Sequence, residues 1–165
     1  MSLLRGARRA LDAVFAVAAA LGDLAVAALA LVMFVEIVLR EGFNMSLRAA
    51  DEMSGYLLVA ATFFGLSAAI RRGALFRFDN ICAALPPAVA RVWERILYLL
   101  ALGVGVIAFW RLYIYVERNF QRGAISEGYY EIPMWLVQMA MPLGLAVMIL
   151  AILERLVTPF ESEPE

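Results

Sequence analysis

Glu36 and Arg111 are two charged side chains whose types and positions would allow an ionic interaction inside a membrane. Glu36 interrupts the first long apolar segment and Arg111 the third, and each lies near the same end of its segment. A charge inside a membrane is costly and usually faces a partner, a cavity or the protein interior. The positions therefore predict an intramembrane ion pair, in which each group offsets part of the other's desolvation. The alternative is that each side chain extends separately to the outer interface.

A third charge, Asp23, lies deeper in the first apolar segment. At about 1.5 Å per residue it is roughly 24 Å from the outer end of that helix. Its partner is either Arg95 or a residue of a second protein, and the sequence does not decide between them.

Several kinds of chemistry are excluded by composition. Cys82 is the only cysteine and histidine is absent, so an internal disulfide, a bis-His haem and a His-based metal site are impossible. We therefore expect no catalytic residues, no metal and no cofactor. A membrane-anchored enzyme or redox subunit is correspondingly disfavoured.

Composition indicates an integral membrane protein. The 165 residues are 64% hydrophobic, well above the range of soluble domains. A net charge of -1, scattered between apolar runs, argues against nucleic-acid binding. A spanning helix needs about 20 apolar residues, so the chain has room for four helices in one membrane domain, residues 1–165.

The apolar runs predict four transmembrane helices, at about residues 11–39, 53–70, 92–116 and 132–157. The arginine-rich start resembles a signal peptide, but Asp12 and the length of the run favour an uncleaved helix.

The arginines predict that both termini are cytoplasmic, because positive loops stay inside. Nine arginines then face the cytoplasm (Arg5, Arg8, Arg9, Arg71, Arg72, Arg77, Arg91, Arg95 and Arg155) and four face outward (Arg40, Arg48, Arg118 and Arg122). Residues 75–85 mix apolar and charged residues below spanning length and predict a short interfacial amphipathic helix.

Two features concern how the helices pack. Ala61, Gly65 and Ala69 form a small-residue stripe that permits close helix approach, although alanine is also simply abundant here. Pro142 predicts a kink in the fourth helix and frees the carbonyl of Gln138. A substrate-binding broken helix is the alternative, but transporters place such breaks in pairs and no second one is present.

Short motifs along nearly the whole chain resemble the small Q subunit (DctQ type) of tripartite ATP-independent periplasmic (TRAP) transporters. They are Arg40 with Phe43-Asn44, Glu52 opening the second helix, Gly65, Arg72-Gly73 with Asp79, Ile132-Pro133-Met134-Trp135, and Pro142-Leu143-Gly144. The sequence departs from the family where a histidine is usual and Leu75 stands here.

The resemblance implies a small, non-catalytic subunit that braces a large membrane subunit (M), which holds the substrate and sodium sites. A periplasmic binding protein (P) delivers the solute. On this interpretation Arg40 and Glu52 close the first hairpin, and Trp135 anchors at the outer interface. The other motif residues are structural or subunit-interface candidates, and Arg118 and Arg122 are candidates for docking the binding protein.

The expected function is therefore sodium-coupled, binding-protein-dependent uptake of an organic acid by a complex in the bacterial inner membrane. The alternative is a small multidrug-type exporter that exchanges protons as a homodimer and uses one membrane glutamate. Glu36 is its only candidate, yet it lies at the end of its helix rather than near mid-membrane, and the chain is longer than that class requires.

Overall fold

The computed structural model describes residues 2–46, 49–71, 87–126, 128 and 131–157, which are almost entirely helical. Three long helices are followed by a short one and a final longer one. They are α1 (Ser2–Phe43), α2 (Ala50–Arg71), α3 (Pro87–Gln121), α4 (Met134–Gln138) and α5 (Ala140–Val157).

Four segments of the described chain are long and apolar enough to cross a membrane: Arg8–Phe43, Ala50–Arg71, Val92–Gln121 and Met134–Val157. The predicted all-α fold with four transmembrane helices is confirmed. The inward orientation of both termini stays a prediction. The predicted interfacial helix at residues 75–85 lies outside the described residues.

The first helix is longer than the sequence prediction at both ends. It has 42 residues, about 63 Å at 1.5 Å per residue, whereas the hydrocarbon core of a bilayer is about 30 Å thick. The prediction followed hydropathy and stopped at the flanking charges. Arginine, alanine and leucine are strong helix formers, so the backbone stays helical beyond the apolar run.

The helices lie side by side in the order α1, α2, α5, α3. α2 packs against α1 on one side and α5 on the other, and α3 packs against α5. Order in space therefore differs from order along the chain. The buried core runs along this layer and includes Phe15, Ile70, Tyr98, Leu145 and Ile152.

Glycines set the closest approaches between neighbouring helices. A Cβ at Gly144 of α5 would lie 2.7 Å from the carbonyl carbon and the Cβ of Phe63 in α2. A Cβ at Gly22 of α1 would lie 3.2 Å from the backbone nitrogen of Gly65. The predicted contact at Gly65 is therefore present. The glycine that needs to be small is Gly22, because a Cβ at Gly65 would meet no described residue within 4 Å.

The fourth span is interrupted at Met139, between α4 and α5. Pro142 is buried and has no amide to donate to the carbonyl of Gln138. The next amide, that of Leu143, donates to the carbonyl of Met139 at 3.2 Å, so the helix resumes immediately. The interruption falls where the proline predicts it.

Two helix ends use left-handed backbone. Gly123 has φ 60° and follows α3. Its amide donates to the carbonyl of Phe120 at 3.1 Å, and the amide of Ala124 donates to that of Asn119 at 3.0 Å. These two bonds form a Schellman motif. Asn44 has φ 51° after α1, a conformation that asparagine tolerates better than most residues.

Candidate functional site

Polar contacts between distant parts of the chain concentrate at the two ends of α2. At its first turn lies the Glu52 cluster, which consists of Glu52, Tyr56, Ser126 and Gly128. The hydroxyl of Tyr56 donates to Oε1 of Glu52 at 2.6 Å, and the hydroxyl of Ser126 donates to the same oxygen. The two hydroxyl oxygens are 3.0 Å apart. One carboxylate oxygen thus ties the α3–α4 loop to α2.

The α3–α4 loop reaches Glu52 because it is closed at its base. The amide of Ser126 donates to the carbonyl of Ile132 at 2.9 Å, and that of Met134 donates to the carbonyl of Ala124 at 2.9 Å. These bonds form a β-bridge between Ile125 and Pro133. Pro133 also precedes the first residue of α4. This motif proline therefore ends the loop and starts the helix.

The second oxygen of Glu52, Oε2, is buried and has no hydrogen-bond partner within the described ranges. A Cβ at Gly128 would overlap this carboxylate, and the Gly128 amide donates to Oγ of Ser126 at 3.0 Å. Glu52 lies in the first turn of α2, where negative charge meets the positive end of the helix dipole. Only glycine at position 128 leaves room for this arrangement.

At the other end of α2 lies the Arg71 cluster, which consists of Asp12, Phe15, Arg71, Glu154 and Arg155. The Arg71 guanidinium forms ion pairs with Asp12 and, at 3.4 Å, with Glu154. It also lies 4.4 Å from the centre of the Phe15 ring. Arg155 donates a hydrogen bond to the carbonyl of Arg71. The cluster joins α1, α2 and α5, and none of its ion pairs was predicted from the sequence.

The first hairpin closes differently from the sequence expectation. Glu36 accepts a hydrogen bond from the hydroxyl of Ser46 at 2.9 Å, across the turn that Asn44 makes. Among the described residues, Arg40 and Glu52 do not form an ion pair, because Glu52 contacts Tyr56 and Ser126 instead. The pairing of Glu36 with Arg111 stays a prediction.

Trp135 packs against α3 near the Glu52 end of the layer. Its ring meets that of Phe120 edge to face, with centroids 5.3 Å apart. One turn away, the side-chain nitrogen of Asn119 donates a hydrogen bond to the side-chain oxygen of the buried Gln138 at 2.7 Å. These two contacts hold α4 against α3. The sequence predicts only that Pro142 frees the backbone carbonyl of Gln138, and it does not predict this side-chain contact.

The remaining predicted residues are placed as follows. Arg118 and Arg122 are exposed at the end of α3, on the same side of the layer as the Glu52 cluster. Arg72, Gly73 and Asp79 lie outside the described residues, and their roles stay predictions. In the described ranges no group of three or more His, Cys, Asp or Glu residues is arranged to hold a metal ion.

Fold and contacts together define a multi-pass α-helical membrane protein whose polar clusters connect helix ends. Residues 29–162 match the family model of the DctQ component of tripartite ATP-independent periplasmic transporters. Because the match covers most of the chain, the protein belongs to the DctQ family, the small membrane subunits of these transporters. The family is a transporter component and not an enzyme family. A comparison with curated proteins gave no match.

Proposed function

We propose that the chain scaffolds the large membrane subunit of a TRAP transporter in the bacterial inner membrane. In this complex the large subunit carries the sodium and substrate sites, and a periplasmic protein delivers an organic acid. The family match over residues 29–162 carries the proposal. The chain's own part is structural and not catalytic.

The arrangement of the helices supports a scaffolding role. The Glu52 cluster and the Arg71 cluster connect the helices of the layer at the two ends of α2. Between these ends, Gly22 and Gly144 allow α1 and α5 to approach α2 closely. Large apolar side chains of α1 and α3 are exposed along their length, among them Leu31, Phe34, Val104 and Ile107. Apolar faces that are exposed along the length of a helix suit contact with lipid or with a second membrane protein.

Co-purification tests the proposal. We expect the chain, expressed with a large membrane subunit of the same transporter, to form a stable one-to-one complex in detergent. Liposomes that contain this complex should take up solute only when a sodium gradient and the binding protein are both present. Transport by the chain alone would contradict the proposal and support the exporter alternative.

Docking of the binding protein is proposed for the outward loops, residues 40–51 and 117–131, with Arg118 and Arg122 as the contact points. Both side chains are exposed, so no packing within the described chain depends on them. Reversal of both arginines to Glu should lower solute uptake when the binding protein is limiting. It should also raise the apparent KM of uptake for the binding protein. Arg95→Glu is the matched control, since Arg95 is exposed at the other end of α3. Unchanged uptake after the double reversal would contradict the docking role.

A further inference from the structure

Asp23 is a charged residue of α1 that faces away from the rest of the chain. It is exposed, whereas the neighbouring Gly22 is buried against α2 and Ala25 is also buried. No described residue forms an ion pair or hydrogen bond with Asp23. In particular, the pairing with Arg95 that the sequence left open is not formed. The described part of the chain therefore leaves this carboxylate without a partner.

The depth of Asp23 follows from the helix register. α2 has 22 residues, about 33 Å in length, so its two ends lie near the two surfaces of a hydrocarbon layer about 30 Å thick. Asp12 contacts Arg71 at one of these surfaces. Asp23 is eleven residues further along α1, or about 16 Å at 1.5 Å per residue. Gly22, the residue before Asp23, packs against Gly65, which is six residues from the Arg71 end of α2, or about 9 Å. Asp23 therefore lies inside the hydrocarbon layer, in the half nearer the Arg71 cluster.

The surface around Asp23 is suited to close contact with another helix. Ala16, Ala20, Ala27 and Ala30 lie on the same face of α1, at spacings of three, four and seven residues from Asp23, and all four are exposed. Small side chains allow two helix backbones to approach closely inside a membrane. We call the face formed by these four alanines and Asp23 the Asp23 face.

We propose that the Asp23 face binds a transmembrane helix of a companion protein, which presents an arginine or lysine side chain at the depth of Asp23. A carboxylate inside the hydrocarbon layer is costly unless a partner is supplied, and a basic group satisfies both its charge and its hydrogen bonds. The inference rests on the proposed function, because it identifies the companion as the large membrane subunit.

A second copy of the chain fits this face less well. Two copies with the same orientation, related by a two-fold axis, would place equivalent residues opposite each other. Two Asp23 carboxylates would then meet at the same depth and repel each other. A lipid phosphate is excluded by depth, since headgroups lie outside the hydrocarbon layer.

The test compares Asp23→Asn with Asp51→Asn, its matched control. Asp51 is exposed in the first turn of α2, at a membrane surface. Each variant is co-purified with the large membrane subunit, and the dissociation constant is measured in nanodiscs. We expect Asp23→Asn to weaken the complex at least about tenfold, because it removes one charge of a buried pair. Asp51→Asn should leave the affinity unchanged.

A steric pair and the chain alone complete the test. Ala27→Leu should weaken the complex at the Asp23 face, whereas Gly103→Leu should not, because Gly103 lies on α3 at the opposite edge of the layer and a Cβ there meets no described residue within 4 Å. The chain alone should be equally or more stable with Asp23→Asn, since the charge has no partner among the described residues. Equal affinity of wild type and Asp23→Asn, or destabilisation of the isolated chain, would overturn the inference alone. Absence of any wild-type complex would overturn the proposed function as well.

Discussion

Gly144→Ala should separate α5 from α2. The added Cβ would lie 2.7 Å from the carbonyl carbon and Cβ of Phe63 and 2.8 Å from its carbonyl oxygen. Two of these three atoms belong to the backbone, so no side-chain rotation relieves the overlap. Because α5 lies between α2 and α3, the displacement would also disturb the packing of α3.

The expected size of the effect comes from two opposing contributions. Alanine in place of glycine in a helix interior gains up to about 1 kcal/mol. Inserting a methyl group into a tight contact costs about 1 to 3 kcal/mol, and contact with backbone places Gly144 at the upper end of that range. The net loss of unfolding free energy should therefore be about 2 kcal/mol. Gly103→Ala should show only the stabilising gain in helix propensity, because its Cβ would meet no atom of the described residues within 4 Å.

The assay is unfolding of the purified protein in mixed micelles with increasing SDS, followed by circular dichroism. Gly144→Ala should have the lowest midpoint, and Gly22→Ala an intermediate one, because its Cβ would be 3.2 Å from the nitrogen of Gly65. Gly65→Ala should behave like Gly103→Ala. If Gly144→Ala unfolded at the same midpoint as Gly103→Ala, the close contact between α5 and α2 would be wrong.

Three further predictions concern the loop and the helix ends. Gly128→Ala should detach the α3–α4 loop, because the new Cβ overlaps the Glu52 carboxylate, and protease sensitivity of the loop should rise. Gly123→Ala should lower stability by about 1 kcal/mol in the same SDS assay, because φ at this position is 60°. Arg71→Gln should lower stability more than Asp12→Asn, since the first change removes two ion pairs and the second removes one that is largely exposed. Equal effects of these last two changes would contradict the central role of Arg71.

Much of the fold is predictable from the sequence because the membrane imposes simple rules. Long apolar runs specify helices, and their number follows from bilayer thickness. Pro142 likewise predicts the interruption at Met139, since a missing amide acts locally. The end of α1 was misplaced because hydropathy marks the limit of the apolar run, whereas backbone hydrogen bonds continue to Phe43.

The polar clusters were harder to predict, because they join residues far apart in the chain. The hydrogen bond between Ser126 and Glu52 spans 74 positions and depends on how the α3–α4 loop folds. Glu52 was identified as a motif residue, but Arg40 was proposed as its partner. A usable signal did exist at the other end of the layer. Asp12, Arg71 and Glu154 each lie within a turn or so of the same end of a predicted span, and opposite charges at equal depth indicate contact.

The position of α5 between α2 and α3 has a consequence for biogenesis. The ribosome delivers α1, α2 and α3 before α5, the helix that separates α2 from α3. Until α5 is inserted, α3 lacks its main neighbour and Phe63 lacks its contact with Gly144. A nascent chain released before residue 134 is therefore expected to be a ready substrate for membrane proteases, and insertion of α5 is the step that joins α3 to α2.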